Sequence, residues 1–135
     1  MGEYEDTLDD IRKTLGIVPG FMSALPEDVL IHDWALMKKY QWGESVIEPK
    51  HRELIGLAVA ANLKCPYCQL MHLNMAKARG ATDEELAELF YLASFTSRWS
   101  SMLHAQHYDL KQFEKEAAKI GDHLSNKEKV VQQVL

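Results

Sequence analysis

Residues 53–72 read Glu53-Leu-Ile-Gly-Leu-Ala-Val-Ala-Ala-Asn-Leu-Lys-Cys65-Pro-Tyr-Cys68-Gln-Leu-Met-His72. Pro49 precedes this stretch, and proline suits the first turn of a helix because no intrahelical hydrogen bond is lost there. Residues 54–61 are apolar on almost every side of such a helix, which predicts a buried helix, in a small chain often covered by partner subunits as well. The pattern therefore predicts one buried helix, a break at residues 62–64, and a second helix that begins at Cys65-Pro66.

The rest of the chain is also predicted to be helical, because no segment alternates apolar and polar residues for long enough to form a strand. Helix start and stop signals predict a helix from Glu3 to Leu15 and another from after Pro26 to near Tyr40. A further helix carries Leu86, Leu89, Phe90 and Ala93 and reaches Trp99 or beyond. A last helical stretch ends near Gly121. The predicted fold is an all-α, compact helical domain with the cysteine pair at the start of a core helix.

Two capping-box patterns predict helix starts in the C-terminal half of the chain. Thr82 with Glu85 marks one helix start, and Ser125 with Glu128 marks another. The helix after Ser125 would be short and would need something to pack on. We therefore predict one helical domain over residues 1–124 and a short helical tail over residues 125–135.

Composition excludes several classes of function. The 135 residues are 47% hydrophobic and 26% charged, as expected for one globular domain, and the net charge of −5 argues against a nucleic-acid binder. The longest mainly apolar stretch, residues 54–63, is too short to span a membrane, and the acidic N-terminus lacks a signal-peptide core. These features predict a cytoplasmic protein that binds neither nucleic acid nor membrane.

Cys65 and Cys68 are the only cysteines, and a close pair in a cytosolic chain suggests redox or metal chemistry. On a helix the two would share a face, close enough to form a disulfide, and a helix N-terminus stabilises a thiolate. His72 lies one turn past Cys68 and could exchange a proton with it. Glu53 would be unfavourable on an apolar helix without a polar partner, and a helix hairpin could bring it near His72.

Other interpretations of these residues remain open at this point. The cysteines could be small buried side chains, or they could bind zinc with His72 and a fourth ligand such as Glu53. His51 is expected to be a solvated neighbour. His104 and His107, with Trp99 and Met102, could line a pocket, although polar positions on an amphipathic helix are the commoner explanation.

Glu53, eleven residues, then Cys65-x-x-Cys68-x-x-x-His72 resembles the signature of the alkylhydroperoxidase D-like branch of the carboxymuconolactone decarboxylase family. The resemblance covers roughly residues 34–99. It implies an all-α homo-oligomer, a trimer or a hexamer, with antioxidant thiol peroxidase (peroxiredoxin-type) or disulfide reductase activity and no cofactor or metal. Its partners would be a peroxide or disulfide substrate and an external dithiol reductant.

The resemblance also implies a role for each residue of the motif. Cys68 would attack the peroxide and become a sulfenic acid, Cys65 would condense with it to a disulfide, and His72 and Glu53 would relay protons. The electrostatics of a helix N-terminus, in contrast, favour Cys65 as the thiol of lower pKa.

Tyr67 departs from the family pattern, because the best-known peroxidases of the family have a histidine directly before the second cysteine. Tyrosine is a poor proton shuttle near neutral pH, so Tyr67 is expected at most to help position the cysteines. Two alternatives follow: a redox-sensing oligomeric adaptor, and a lactone-acid decarboxylase. The second would need a basic pocket, for which Arg98, His104 and His107 are the candidates.

Overall fold

The computed structural model describes residues 2–134, with side chains for residues 2–129. Within that range every regular element is helical, which confirms the predicted all-α fold. The elements are α1 (Glu3–Leu15), α2 (Gly20–Ser23), α3 (Glu27–Met37), a π-helical turn (Lys38–Trp42), α4 (Pro49–Leu63), α5 (Pro66–Ala78), α6 (Asp83–Leu92), α7 (Phe95–Ala105) and α8 (Leu110–Val134). None of these helices is long and apolar enough to cross a membrane.

The chain divides into two compact units, one ending at Ala93 and the other beginning at Ser94. The first unit holds two apolar clusters. One joins α1, α2 and α3 through the buried side chains Ile11, Met22, Leu30 and Trp34. The other joins α4, α5 and α6 through Leu57, Ala76 and Leu86.

Asp10 connects α1 to α3 and to the π-helical turn. Its carboxylate accepts hydrogen bonds from Trp34 Nε1 at 2.7 Å and from Lys38 Nζ at 2.7 Å. The Lys38 hydrogen bond, followed by that of Trp34, lowers the pKa of Asp10 below its usual value. These hydrogen bonds therefore connect α1 to the end of α3 and to the first residue of the π-helical turn.

Helices α4 and α5 form an antiparallel hairpin. Lys64 adopts a left-handed conformation with φ 57°, so α4 ends there, and Cys65 caps the next helix immediately. The cross-helix contacts confirm the direction: Gln69 Nε2 donates to the Ala60 carbonyl, and His72 farther along α5 lies against residues nearer the start of α4. The hairpin therefore places the Cys65–Cys68 turn at one end and His72 in its interior.

The capping box at Thr82 is present, with both of its hydrogen bonds to Glu85. Lys50 of α4 also contacts Glu85, at 2.9 Å, which ties α6 to the start of the hairpin. This part of the sequence analysis is confirmed.

The predicted extent of the helix that follows the Thr82 cap was wrong. The helix that begins at Asp83 was expected to reach Trp99, but α6 ends at Leu92 and α7 begins at Phe95. Sequence signals at Ala93 and Ser94 are weak, because neither residue is a strong helix breaker.

The predicted stop near Gly121 and the capping box at Ser125 are also absent, because α8 continues through both to Val134. A glycine weakens a helix interior by only about 1 kcal/mol, and the long flanking sequence, rich in helix-forming residues, outweighs it. The domain boundary proposed at residue 124 stays a prediction. The packing expected for the side chains of residues 130–135 lies outside the described residues.

Candidate redox site

Cys65 and Cys68 are free thiols at the start of α5, with their sulfurs 2.9 Å apart. Cys65 is the N-cap residue of α5, and its sulfur accepts a hydrogen bond from the Cys68 backbone N–H at 3.3 Å. Both side chains are half-buried. Because the sulfurs already touch, a disulfide could form with only a small movement of the side chains.

The two thiols are not equivalent. The hydrogen bond from the Cys68 side chain, together with its backbone N–H, lowers the pKa of Cys65. The same side-chain hydrogen bond, followed by partial desolvation, raises the pKa of Cys68. A thiol proton shared by two sulfurs could lie on either, but the backbone N–H that points at Cys65 favours negative charge on that sulfur. Of the two thiols, Cys65 is therefore the one with the lower pKa, and Cys68 is the one with the higher pKa.

Glu53 and His72 form the second pair of the site. Glu53 is only 6% exposed, and its Oε2 lies 2.8 Å from His72 Nδ1. The predicted contact between α4 and α5 at these residues is confirmed. An ionised carboxylate only accepts hydrogen bonds, so His72 Nδ1 is the donor in a contact with the ionised form of Glu53.

Gly56 makes room for the His72 ring. A Cβ atom at Gly56 would lie 2.5–2.6 Å from three atoms of that ring, much closer than a van der Waals contact. The sequence analysis did not identify this residue. Its signal was a glycine in the interior of an apolar helix, which is unfavourable unless something approaches the backbone closely.

Arg79 completes the surroundings of Glu53. Its Nε lies 3.8 Å from Glu53 Oε1, and its Nη2 donates to the Trp42 carbonyl at 3.0 Å. The sequence analysis did not identify this residue either. Arg52, which directly precedes Glu53 in the chain, donates instead to the carbonyls of Tyr40 and Gly43, around the end of the π-helical turn.

The structure joins the candidate residues in two pairs. His72 lies one turn past Cys68 on α5, but within the described residues no hydrogen bond joins the ring to either sulfur. Tyr67 is 85% exposed, and its suggested part in positioning the cysteines stays a prediction. In the part of the chain that the structure describes, no group of three or more His, Cys, Asp or Glu side chains is arranged to hold a metal ion.

The histidines of the second unit lie elsewhere. His104 and His107 line a cavity of about 310 Å³ together with Leu103, Tyr108, Leu110 and Phe113. Trp99 and Met102, which the pocket alternative had placed beside these histidines, are not among the residues that line this cavity. Arg98 lies over the ring of Phe95 instead. Arg98 does not line the cavity of His104 and His107, so the three candidates do not together line the basic pocket that the lactone-acid alternative would need.

Comparisons with known proteins agree with the motif. Residues 25–108 match the carboxymuconolactone decarboxylase family. The crystal structure of the alkylhydroperoxidase AhpD core from Rhodospirillum rubrum superposes with a TM-score of 0.69 at 28% identity, over 80% of this chain and 82% of that one. Uncharacterized protein 4 in the cox locus of Paracoccus denitrificans is 28% identical over 69 residues, 51% of this chain. The matched segment spans 62% of that relative's length.

Proposed function

Since the chain belongs to the carboxymuconolactone decarboxylase family and has the alkylhydroperoxidase AhpD core fold, we propose that it is a thiol-dependent peroxidase or dithiol–disulfide oxidoreductase. The observation that carries the proposal is the pair of free thiols in contact at a helix N-terminus, with a Glu–His pair on the same hairpin. The chemistry proceeds on side chains of this chain and needs no cofactor.

In the first step Cys68 attacks the outer oxygen of a hydroperoxide. Because the pKa of Cys68 is raised, its sulfur needs a base, and His72 one turn along α5 accepts the proton at Nε2, directly or through a water. The O–O bond breaks, Cys68 becomes a sulfenic acid, and the leaving alkoxide takes the proton from His72. Glu53 stabilises the imidazolium that forms in between.

In the second step Cys65 closes the disulfide. The lowered pKa of Cys65 favours its thiolate, which attacks the sulfenic sulfur of Cys68 and displaces hydroxide. The hydroxide takes a proton from the solvent and leaves as water. An external dithiol then reopens the disulfide by exchange and is itself oxidised. One turn of the cycle thus converts hydroperoxide and dithiol into alcohol, water and a disulfide.

The test is peroxide consumption coupled to a dithiol such as dithiothreitol, with mass spectrometry of the protein after one equivalent of hydroperoxide. We expect the wild type to lose two thiols and to form an internal disulfide. Cys68→Ser should abolish turnover, and Cys65→Ser should accumulate a sulfenic acid on Cys68. Equal consumption by wild type and Cys68→Ser would refute the proposal.

The description of the matched family supports a second candidate, decarboxylation of a lactone acid. That reaction has no step that requires two thiols. Product analysis with γ-carboxymuconolactone separates the candidates, because decarboxylation that survives in the Cys65→Ser/Cys68→Ser double variant would favour the second one.

A further inference from the structure

Helix α8 carries a narrow row of apolar side chains. The row consists of Leu110, Phe113, Ala117, Ile120 and Leu124, and its spacing alternates between three and four residues along the helix. All five residues are exposed. This alternation is the a and d pattern of a heptad repeat, the surface along which two helices pack in a coiled coil. We call these five residues the α8 seam.

The second unit itself covers little of the α8 seam. Phe113 packs edge to face against the Tyr108 ring, with the ring centroids 6.4 Å apart, and Leu110 lines the cavity beside α7. The last three residues of the seam belong to neither of the apolar clusters formed by the buried residues that the structure describes. The rest of the helix surface between residues 111 and 123 is mostly polar or charged. A stripe this narrow fits one opposing helix rather than a broad core.

Two α8 seams complement each other in shape when the helices run antiparallel. In the register that centres on residues 117 and 120, Ala117 of one copy lies opposite Ile120 of the other. Phe113 then lies opposite Leu124, because each step along one helix is matched by a step back along the other. The smallest residue of the seam therefore faces a β-branched one on both sides of the centre. Every layer between residues 113 and 124 is apolar, as close packing of two helices requires.

The charges beside the seam favour the same register. It brings Glu116 of each copy beside His123 of the other. It also brings Glu114 beside Gly121, so no like charges meet there. The hydrogen bond from the Tyr108 hydroxyl lowers the pKa of Glu116, which favours its ionised form, and the imidazole of His123 carries an N–H donor in either protonation state. The two copies therefore offer each other a donor and an acceptor at two symmetric places.

Other arrangements of the same two helices bring like charges together. A parallel pair in register would place Lys127, which occupies a d position, against its own copy. Shifting the antiparallel pair by one heptad would bring Glu114 beside Glu128 or beside its own copy, depending on the direction of the shift. In the register that centres on residues 117 and 120, Lys127 instead lies opposite Leu110 at each end of the paired segment, where its ammonium group can reach water.

We propose that α8 is a homodimerisation helix, and that two copies of the chain pair their α8 seams antiparallel around a two-fold axis. The axis passes between Ala117 and Ile120, and the paired segment runs from Leu110 to Lys127, a length of about 27 Å at the helical rise. Each copy contributes the same residues, as a two-fold interface requires. The proposal does not rest on the proposed redox function, because no residue of the candidate redox site lies on α8.

Ala117→Glu and Ala118→Glu form a matched pair for testing the interface. Both alanines are exposed in the interior of α8, so the cost to the helix is similar, but only Ala117 belongs to the seam. Light scattering measures the molar mass of the full chain, and circular dichroism measures its helix content. We expect Ala117→Glu to halve the wild-type mass, because its carboxylate would be buried against Ile120 without a partner. Ala118→Glu should keep the wild-type mass, and both variants should keep the wild-type helix content.

Three results of this comparison would overturn the proposal. They are a monomeric wild type, a wild-type mass in Ala117→Glu, and an equal loss of mass in both variants. A second measurement decides the question even if Ala117→Glu loses helix content, because it leaves the seam unchanged.

Distances between spin labels test both the partner and the register. In a Cys65→Ser/Cys68→Ser background, single labels are attached through Lys111→Cys or Ala118→Cys, which occupy the same heptad position outside the seam. The antiparallel register separates the two copies of residue 111 by about 22 Å along the helix axis and the two copies of residue 118 by about 1.5 Å. Electron paramagnetic resonance should therefore report a longer distance between copies for residue 111 than for residue 118.

Equal distances at the two positions would indicate a parallel pair, and the lack of any measurable distance between copies would indicate that α8 contacts a different surface. Either result would overturn the proposal. Neither experiment uses a peroxide or a dithiol, so failure of the proposed redox function would leave the outcome unaffected.

Discussion

The positions of Glu53 and His72 in the candidate site depend on contacts with neighbouring side chains. Glu53 is tolerated inside an apolar hairpin because His72 and Arg79 supply partners for both of its oxygens. His72 in turn reaches Glu53 because Gly56 leaves space for its ring. The proposed proton relay would therefore depend on the α4–α5 hairpin as a whole and not on one side chain.

Gly56→Ala tests this dependence. The added Cβ would overlap the His72 ring, so the ring should move away from Glu53 and the base-dependent step should slow by about tenfold or more. The measurement is the rate of dithiol-dependent peroxide reduction, together with the NMR signals of His72.

Gly121→Ala is the matched control, because nothing lies within 4 Å of a Cβ added there. It should leave activity unchanged and raise stability by about 0.5–1 kcal/mol through helix propensity. Unchanged activity in Gly56→Ala would show that the position of the His72 ring against α4 does not matter.

The unequal thiols predict a pH-dependent order of alkylation. Because the hydrogen bond from Cys68 lowers the pKa of Cys65, the Cys65 thiolate should appear first as pH rises, and iodoacetamide should modify Cys65 before Cys68. In Cys68→Ala that hydrogen bond is absent, so the pKa of Cys65 should rise and its alkylation at neutral pH should slow. Peptide mass spectrometry after timed alkylation measures both.

Tyr67→Phe tests, in the same experiment, the suggested part of the Tyr67 hydroxyl in positioning the cysteines; Tyr67 is 85% exposed, and the contact between the two sulfurs does not involve its side chain. Its alkylation profile should match that of the wild type. Faster modification of Cys68 than of Cys65 in the wild type would contradict the assignment of the thiolate.

At the scale of elements, the start of α6 is fixed by local capping and by one contact to the hairpin. Thr82 accepts from the Glu85 backbone N–H, and Glu85 also contacts Lys50. Thr82→Ala should lower the free energy of unfolding by about 1 kcal/mol, because one backbone N–H of the first turn loses its acceptor. Urea denaturation at neutral pH measures the change.

Ser125→Ala is the contrasting variant, because Ser125 has the same capping signature in the sequence but lies inside α8. It should be neutral or stabilising by about 0.5 kcal/mol, as expected for alanine in a helix interior. A loss of stability equal to that of Thr82→Ala would indicate a helix start at Ser125.

At the scale of the whole molecule, α4 is less buried than its sequence predicts for a helix apolar on almost every side. Glu53, Leu57 and Ala60 are buried, but Ile55, Val59 and Leu63 follow one another along the helix and are each more than half exposed. Such a row of apolar side chains is typical of a surface that another molecule covers. The trimer or hexamer expected from the sequence stays a prediction with this row as one of its surfaces.

Light scattering of the full chain should therefore give a multiple of the 15.4 kDa subunit mass. Val59→Asp should shift the mass toward the monomer, because a charge buried in an apolar contact is strongly unfavourable. Lys77→Glu, a charge change at an exposed position of α5, should leave the mass unchanged. A monomeric wild type would refute the oligomer.

The all-α class, the α4–α5 hairpin and the capping box at Thr82 could be predicted from the sequence, which also suggested that a hairpin could bring Glu53 near His72. These features follow from local signals, since helix periodicity, proline and capping residues act over a few neighbouring positions. The motif spacing then placed Cys65, Cys68 and His72 on one helix without tertiary information.

Tertiary structure alone decided the features that depend on distant contacts. Arg79 faces Glu53 because the end of α5 returns to the start of α4, and Gly56 matters only because the His72 ring packs against it. The continuity of α8 and the break between α6 and α7 were likewise misjudged from the sequence. At these two boundaries local propensities differ by about 1 kcal/mol or less, so a single glycine or a capping signature does not decide where a helix ends.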